Sequence, residues 1–146
     1  TNCDASHMVA PHQGSIANCI RVAHRRAGVE PGDIDFISAH GTGTRTNDVV
    51  EVGAIREVFG VDAPPTISIK SMIGHTAGAA GALAVIGCVK SIVAGIVPPT
   101  INYAERDPDC DLDYVPNQAR PQKVDVALAN AFGFGGQNAV VLPSRP

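Results

Sequence analysis

The feature that most constrains this sequence is a set of three glycine-rich turns, each of which follows a run of β-prone residues. The turns are 40–44, 70–75 and 132–136, and the first two carry histidine or lysine at their ends. Glycine lets a backbone turn sharply and approach a ligand closely. No residue with the setting of a nucleophile accompanies the turns, so the pattern predicts part of an active site at one edge of a sheet.

Composition predicts a globular chain with a core of its own. The 146 residues are 45% hydrophobic and carry a formal net charge of −3, so the chain has no basic field for nucleic acid. The four cysteines form no CxxC pair and follow no secretory leader, which predicts reduced thiols and a cytoplasmic protein. The apolar stretch 77–97 contains Lys90 and many small residues, so we expect a buried helix that falls short of a membrane span.

Hydrophobic spacing predicts alternating helices and strands. Residues 13–27 show a helical apolar stripe that ends at Gly28, and the run 34–39 is β-prone. The remaining predicted elements are a helix over 48–59 capped by Asn47 or Asp48, a strand over 66–70, a helix from about Thr76 to Pro98, a possible short strand over 112–115, and a hairpin of 124–131 and 137–142. This order predicts an α/β fold in which helices cover a mixed sheet, with chemistry beyond the carboxyl ends of the strands.

Two histidines and a lysine are the residues best suited to chemistry. His40 ends a predicted strand and is followed by Thr42 and Thr44, whose hydroxyls can hydrogen-bond an amide-bearing substrate. His75 precedes a helix whose N-terminal dipole disfavours a charged imidazole, and a neutral imidazole suits enolate stabilisation. The structural alternatives are a His40 satisfied by a local carbonyl, an exposed strand-end Lys70 and a His75 that caps a helix.

The third turn and the nearby carboxylates offer weaker signals. The glycines of 132–136 could expose a backbone N–H to a developing oxyanion, although a hairpin turn with two packed phenylalanines explains them as well. Asp48 and Glu51 are spaced to orient neighbouring cations or to remain solvated near a helix start. No HExxH or comparable spacing accompanies the histidines, so we predict no metal site. An electropositive setting that would activate a thiol is absent at all four cysteines, Cys3, Cys19, Cys88 and Cys110.

Five motifs together indicate a family. They are AHGTGTRTND, IKSMIGHTAGAAGA, VPPTINY, CDLDYVP and NAFGFGGQN, in this order. In order and spacing they resemble the C-terminal half of elongating β-ketoacyl-acyl carrier protein synthases over essentially the whole chain, and ketosynthase domains of polyketide synthases share them. The resemblance implies a thiolase-like fold of two duplicated α/β halves, with residues 1–146 as the C-terminal half without its first strand.

The resemblance also implies a decarboxylative Claisen condensation in fatty acid elongation. An acyl group passes from acyl carrier protein to a cysteine in an N-terminal half, and decarboxylation of a malonyl thioester gives the enolate that attacks it. By motif match, His40 and His75 promote decarboxylation and stabilise the enolate, and Lys70 tunes His75. The remaining implied roles are phosphopantetheine binding by Thr42 and Thr44, a substrate contact by Phe132, gating and an oxyanion N–H by Phe134, and support by Asp48 and Gly133. Substrates arrive on the phosphopantetheine of the carrier, and no further cofactor is implied.

One departure and several alternatives accompany the resemblance. Ala84 stands nine residues after His75, where the family often has a glutamate, so a carboxylate near Lys70 must come from elsewhere or be absent. The alternatives are a ketosynthase domain of a polyketide synthase, a catalytically silent partner subunit and a degradative thiolase. Retention of His40, Lys70 and His75 argues against a silent subunit, and the missing second cysteine argues against a thiolase. The family also implies a homodimer, and the sequence specifies no acyl chain length.

Overall fold

Helices cover both faces of a five-stranded mixed sheet in the computed structural model, which describes all 146 residues. In chain order the elements are β1 (Asn2–Cys3), α1 (Gln13–Ala27), β2 (Phe36–Ser38), α2 (Arg45–Phe59), β3 (Thr66–Ile67), α3 (Lys70–Ile73), α4 (Ala80–Ala94), β4 (Ile96–Val97), β5 (Arg120–Pro121), β6 (Ala127–Gly133) and β7 (Gln137–Val141). The strand order is β1-β7-β6-β2-β3. Strand β2 is parallel to β3 and β6, whereas β7 is antiparallel to β6 and β1. The predicted α/β class with a mixed sheet is confirmed.

The core lies on both faces of this sheet. Successive side chains of a strand point to opposite faces, so Phe36 packs in a cluster with α4 while Ile37 packs in a second cluster with α1 and α2. All three residues of β2 are therefore buried. Because β2 and β3 are parallel neighbours, the chain leaves both strands at the same edge, and the segments with His40 and Lys70 begin there.

Two predicted elements are confirmed, two have different limits and one is absent. Helix α1 covers the predicted residues 13–27, and β6 and β7 form the predicted terminal hairpin. Helix α2 begins at Arg45, so Asn47 lies buried inside the helix and caps nothing. Strand β3 ends at Ile67, and Lys70 begins α3 instead of ending the strand. The proposed strand over 112–115 is absent because Val115 has φ +49°, which an extended strand does not allow.

Helix α4 also differs from its prediction. It begins at Ala80 after a 3-10 turn over Ala77–Ala79, and it ends at Ala94 before Gly95, which is left-handed at φ 66°. Its inner face is buried, but on its outer face Val93 is 80% exposed, so the expected burial holds for one face only. Residues Ala77–Ala94 do have the length and composition of a membrane span, contrary to the sequence expectation. One such helix is weak evidence, because core helices of soluble proteins meet the same criterion.

The N-terminal residues add an edge strand. Strand β1 pairs Asn2 with Asn138 and Cys3 with Gln137 of β7. A second, two-stranded sheet of β4 and β5 was not predicted. The assignment of residues 1–146 to the C-terminal half of a two-part fold remains a prediction.

Candidate active site

His40 is buried at the end of β2, where it is 8% exposed. Its Nδ1 accepts a hydrogen bond from the backbone N–H of Phe132 at 3.3 Å, and the two rings lie 5.2 Å apart. An imidazole that accepts at Nδ1 carries its proton on Nε2 when neutral. Burial first, and then the charges of Lys70 and His75, lower the pKa of His40 to about 4. His40 is therefore a neutral donor near pH 7, and its partner is a distant N–H instead of a local carbonyl.

Glu51 fixes the backbone at His40. It lies on α2, is 2% exposed, and accepts hydrogen bonds from the N–H groups of His40 and Gly41, both at 2.8 Å. Two buried amides complete its shell, because Asn130 donates at 3.0 Å and Asn47 at 3.3 Å. Burial raises the pKa of the Glu51 carboxyl, and the four donors oppose that shift because they favour its ionised form.

Lys70 contacts the same peptide from the other side. Its Nζ donates to the carbonyl oxygen of His40, and the side chain is half-buried. Burial lowers the pKa of Lys70, while the charges of Glu51 and Asp48 oppose that shift. The alternative of an exposed strand-end lysine is therefore wrong. Ala84 stands where the family often has a glutamate, and the negative charges near Lys70 come instead from Glu51 and Asp48 of α2.

His75 lies beside His40 but is exposed. The two rings are 5.7 Å apart and nearly perpendicular, at 86°. The Nδ1 of His75 accepts from the N–H of Ala77, the first residue of the 3-10 turn before α4, at 3.1 Å, whereas the N-cap residue of that turn is Thr76. This bond also places the proton of a neutral His75 on Nε2.

A cleft of about 830 Å³ opens between the start of α2, β3 and the loop that follows β4. Thr42, Asp48 and Lys70 line it, whereas His40, His75 and Phe132 do not. The hydroxyls of Thr42 and Thr44 lie 2.7 Å apart, so one of them donates to the other and one hydroxyl proton remains for a ligand. Asp48 accepts from the amide of Asn47 at 3.0 Å.

The third turn joins β6 and β7 and carries Phe134, which is 73% exposed. The N-terminal segment packs against this turn, since the N–H of Gly135 donates to the carbonyl of Met8 at 2.8 Å and the N–H of Asp4 donates to that of Gly136 at 3.1 Å. Gly133 ends β6 opposite Gln137. The alternative of two packed phenylalanines is therefore wrong, because only Phe132 is packed.

Three of the four cysteines, Cys19, Cys88 and Cys110, have the buried settings expected of unreactive thiols. Burial raises the pKa of Cys88 to about 12, and burial together with the charge of Asp107 raises that of Cys110. Cys19 is buried in α1, and Cys3 is exposed with its Sγ 3.3 Å from the carbonyl of Gly135. No group of three or more His, Cys, Asp or Glu side chains is placed to hold a metal ion.

Sequence reasoning missed Asn130, and it named Glu51 without predicting that its carboxylate is buried. A usable signal existed for Glu51, because it lies four residues after Asn47 and four before Ile55, on the apolar face of the predicted helix. A carboxylate on a packed face needs hydrogen-bond donors. Asn130 gave no such signal, because its contact with Glu51 joins residues 79 positions apart.

Comparison with known proteins identifies the family of this chain. Residues 1–104 match the family model described as beta-ketoacyl synthase, C-terminal domain. The chain is 49% identical over 140 residues to nodulation protein E of Rhizobium sp. (strain N33), which covers 94% of this chain and 35% of that protein. It is 45% identical over 150 residues to the chloroplastic 3-oxoacyl-[acyl-carrier-protein] synthase I of Hordeum vulgare, and this alignment covers 99% of this chain and 32% of that protein. The chain thus spans about a third of the length of these relatives.

Solved structures share the fold. The ishigamide ketosynthase/chain length factor matches with a TM-score of 0.96 and 50% identity, over 99% of this chain and 36% of that one. A type II polyketide synthase acyl-carrier protein in complex with its ketosynthase matches with a TM-score of 0.94 and 38% identity, also over 99% and 36%. These matches confirm the thiolase-like fold. With the family model matched over residues 1–104, the chain belongs to the C-terminal domain family of the β-ketoacyl synthases.

Proposed function

We propose that this chain is the histidine-bearing part of a 3-oxoacyl-acyl carrier protein synthase, an acyltransferase that condenses acyl and malonyl thioesters. The pair of His40 and His75 carries the proposal. Their rings are 5.7 Å apart, and each Nδ1 accepts a backbone N–H. Each neutral imidazole therefore keeps its Nε2–H as a donor.

Two neutral donors suit the charge that develops during decarboxylation. When CO₂ leaves a malonyl thioester, the electron pair of the broken C–C bond moves toward the thioester oxygen and forms an enolate. Donors aimed at such an oxygen contribute about 3–4 kcal/mol each in comparable sites. The low pKa of His40, about 4, keeps its ring uncharged, so it hydrogen-bonds the enolate without transferring a full proton.

The attacked acyl group would be held by a cysteine outside residues 1–146. The thiols of Cys88 and Cys110 have raised pKa values, Cys19 is buried, and the exposed Cys3 lies on the edge strand β1 outside the cleft. We therefore expect the chain alone to form no stable acyl thioester. The enolate carbon would attack the acyl carbonyl, and collapse of the adduct would release the cysteine thiolate of an N-terminal half.

Partners and pathway follow from the same proposal. The complex of a related ketosynthase with its carrier supports acyl carrier protein as partner, and a chain length factor accompanies another relative. Thr42 and Thr44 would hydrogen-bond the phosphopantetheine arm, Phe132 would contact substrate, and Phe134 would gate the site. A homodimer and a cytoplasmic location remain predictions. Polyketide synthesis is the second candidate pathway, because the matched solved structures include polyketide ketosynthases.

The proposal is tested on the complete protein that contains this chain. Purified enzyme is mixed with acyl- and malonyl-loaded carrier, and the 3-oxoacyl product is measured by mass spectrometry. His40→Ala and His75→Ala should each lower product formation by about 100-fold. The control His12→Asn replaces an exposed histidine by another residue that can cap α1. Full condensation in both active-site variants would refute the proposed roles. Wild-type products that have been extended more than once, with every keto group retained, would favour the polyketide pathway.

A further inference from the structure

The Ser68 hydroxyl joins the two segments that carry the site residues. Its Oγ donates to the carbonyl of Gly41 at 2.7 Å and accepts from the N–H of Lys70 at 3.4 Å. Gly41 lies between His40 and Thr42 on the first turn, while Lys70 begins the segment that leads to His75. One side chain thus bonds both segments at the sheet edge.

The packing at this link is close. Gly41 has φ +44°, and a Cβ on Gly41 would lie 2.6 Å from the Cβ of Ser68. Ser68 is itself held in place, because its N–H donates to the hydroxyl of Thr100 at 3.3 Å and its carbonyl accepts from Ser71 Oγ at 2.9 Å. A hydroxyl held this firmly can fix the orientation of the peptide that it contacts.

Among the backbone polar groups of His40 and Gly41, the Gly41 carbonyl is the one that neither Glu51 nor Lys70 contacts. Glu51 accepts from the N–H groups of His40 and Gly41, and Lys70 donates to the carbonyl of His40. The Gly41 carbonyl precedes Thr42, so its direction sets where the Thr42 and Thr44 hydroxyls lie relative to His40. The hydrogen bond from Ser68 therefore fixes the remaining backbone polar group of His40 and Gly41.

We propose that Ser68 is a positioning residue that fixes the first turn against the Lys70–His75 segment and so aligns His40 with His75 for decarboxylation. The inference rests on the proposed condensation and adds a residue to it. Ser68 contacts neither substrate nor the imidazole rings in this scheme. It acts through the Gly41 carbonyl and the Lys70 N–H.

The test separates the two half-reactions of the complete protein. The variant Ser68→Ala is compared with wild type for the maximal rate of malonyl decarboxylation and the maximal rate of acyl loading, both with saturating carrier. We expect decarboxylation to fall by at least about tenfold, because small displacements of reacting groups have large kinetic effects. Acyl loading needs no alignment of the two histidines, so it should stay within about threefold. The amplitude of acyl loading counts active molecules, so misfolded protein does not affect the ratio.

Ser15→Ala is the matched control. Its hydroxyl also makes two hydrogen bonds, to Asn2 Oδ1 at 3.3 Å and from Asn138 Nδ2 at 3.2 Å, but none to the first turn or to Ser68. It should leave the ratio of the two rates unchanged. If Ser68→Ala fails to fold, Ser68→Cys keeps the volume and weakens the donor, and the same split is expected.

An equal loss of both half-reactions in the Ser68 variant would overturn the inference, as would no loss in that variant or the same split in Ser15→Ala. Absence of decarboxylation and condensation in wild type would instead reject the proposed function, and the role of Ser68 with it. A selective loss in Ser68→Ala alone supports the inference.

Discussion

His40 and His75 lie side by side, yet the chain holds them by very different means. His40 is 8% exposed, and Glu51, Lys70 and Ser68 contact the peptide groups around it. His75 is exposed, and one hydrogen bond from Ala77 orients its ring. The chain therefore preorganises one side of the site by itself.

The buried side depends on a costly group. A carboxylate removed from water is tolerated only when hydrogen bonds replace its hydration. Glu51 receives four such bonds, two of them from the backbone that it orients. A network of this kind is rigid when complete and strongly destabilising when one member is lost. The exposed side contains no equivalent group, so the two sides should respond differently to substitution.

The largest effect is expected from Glu51→Ala. The substitution leaves the N–H groups of His40 and Gly41 and the Asn130 amide buried without an acceptor, at about 1–3 kcal/mol each. We expect the complete protein to lose roughly 3–5 kcal/mol of unfolding free energy, as when a buried charge network is broken. Decarboxylation should fall by about 100-fold because His40 is displaced. Urea unfolding and a malonyl decarboxylation assay measure the two changes.

Glu57→Ala is the control on the same helix. Glu57 is exposed and pairs with Arg21 at 2.9 Å, so its loss should change stability and rate little. Equal destabilisation by the two variants would mean that the Glu51 network does not hold the His40 side in place.

Substitution of His75, on the exposed side, should lower the activity of the protein without lowering its stability. His75→Gln removes a ring whose protein contacts are few, so the unfolding midpoint should not move, while decarboxylation should fall by about 100-fold with the loss of one donor. His40→Gln provides the contrast, because it should reduce both quantities. Thermal unfolding and the decarboxylation rate are measured on all three proteins. A clear drop in the His75→Gln midpoint would show that the two sides are not separate.

Features carried by local pattern were predictable from the sequence. Helix α1 has a regular apolar stripe and a glycine at its end, and its limits were predicted correctly. The hairpin of β6 and β7 was signalled by glycines between two apolar runs. His40, Lys70 and Thr42 were found as candidates because polar groups at the ends of parallel strands share one edge of a sheet.

Features fixed by tertiary contacts were not predictable. The start of α2 was misplaced because Asn47 is a common capping residue, whereas here its amide serves Glu51. The strand proposed over 112–115 has suitable β-prone residues, yet Val115 takes a left-handed conformation in the folded chain. The burial of Glu51 arises only when α2 packs beside the end of β2. Phe134 looked packed by composition, but it stands at an exposed turn.

The smallest effect is expected from pH, and it sharpens the comparison. The pKa of His40 falls from its ordinary 6.5 to about 4 in the folded protein, because of burial first and then the charges of Lys70 and His75. Between pH 6.5 and about 4 the unfolded chain binds a proton that the folded protein excludes, so the free energy of unfolding should fall as the pH is lowered through this window. His24 adds in the same direction, since burial beside Phe59 lowers its pKa. Urea midpoints of wild type and His40→Gln between pH 7.5 and 4.5 test this, and the variant should show a shallower decline. Identical declines would mean that His40 is not desolvated on the buried side.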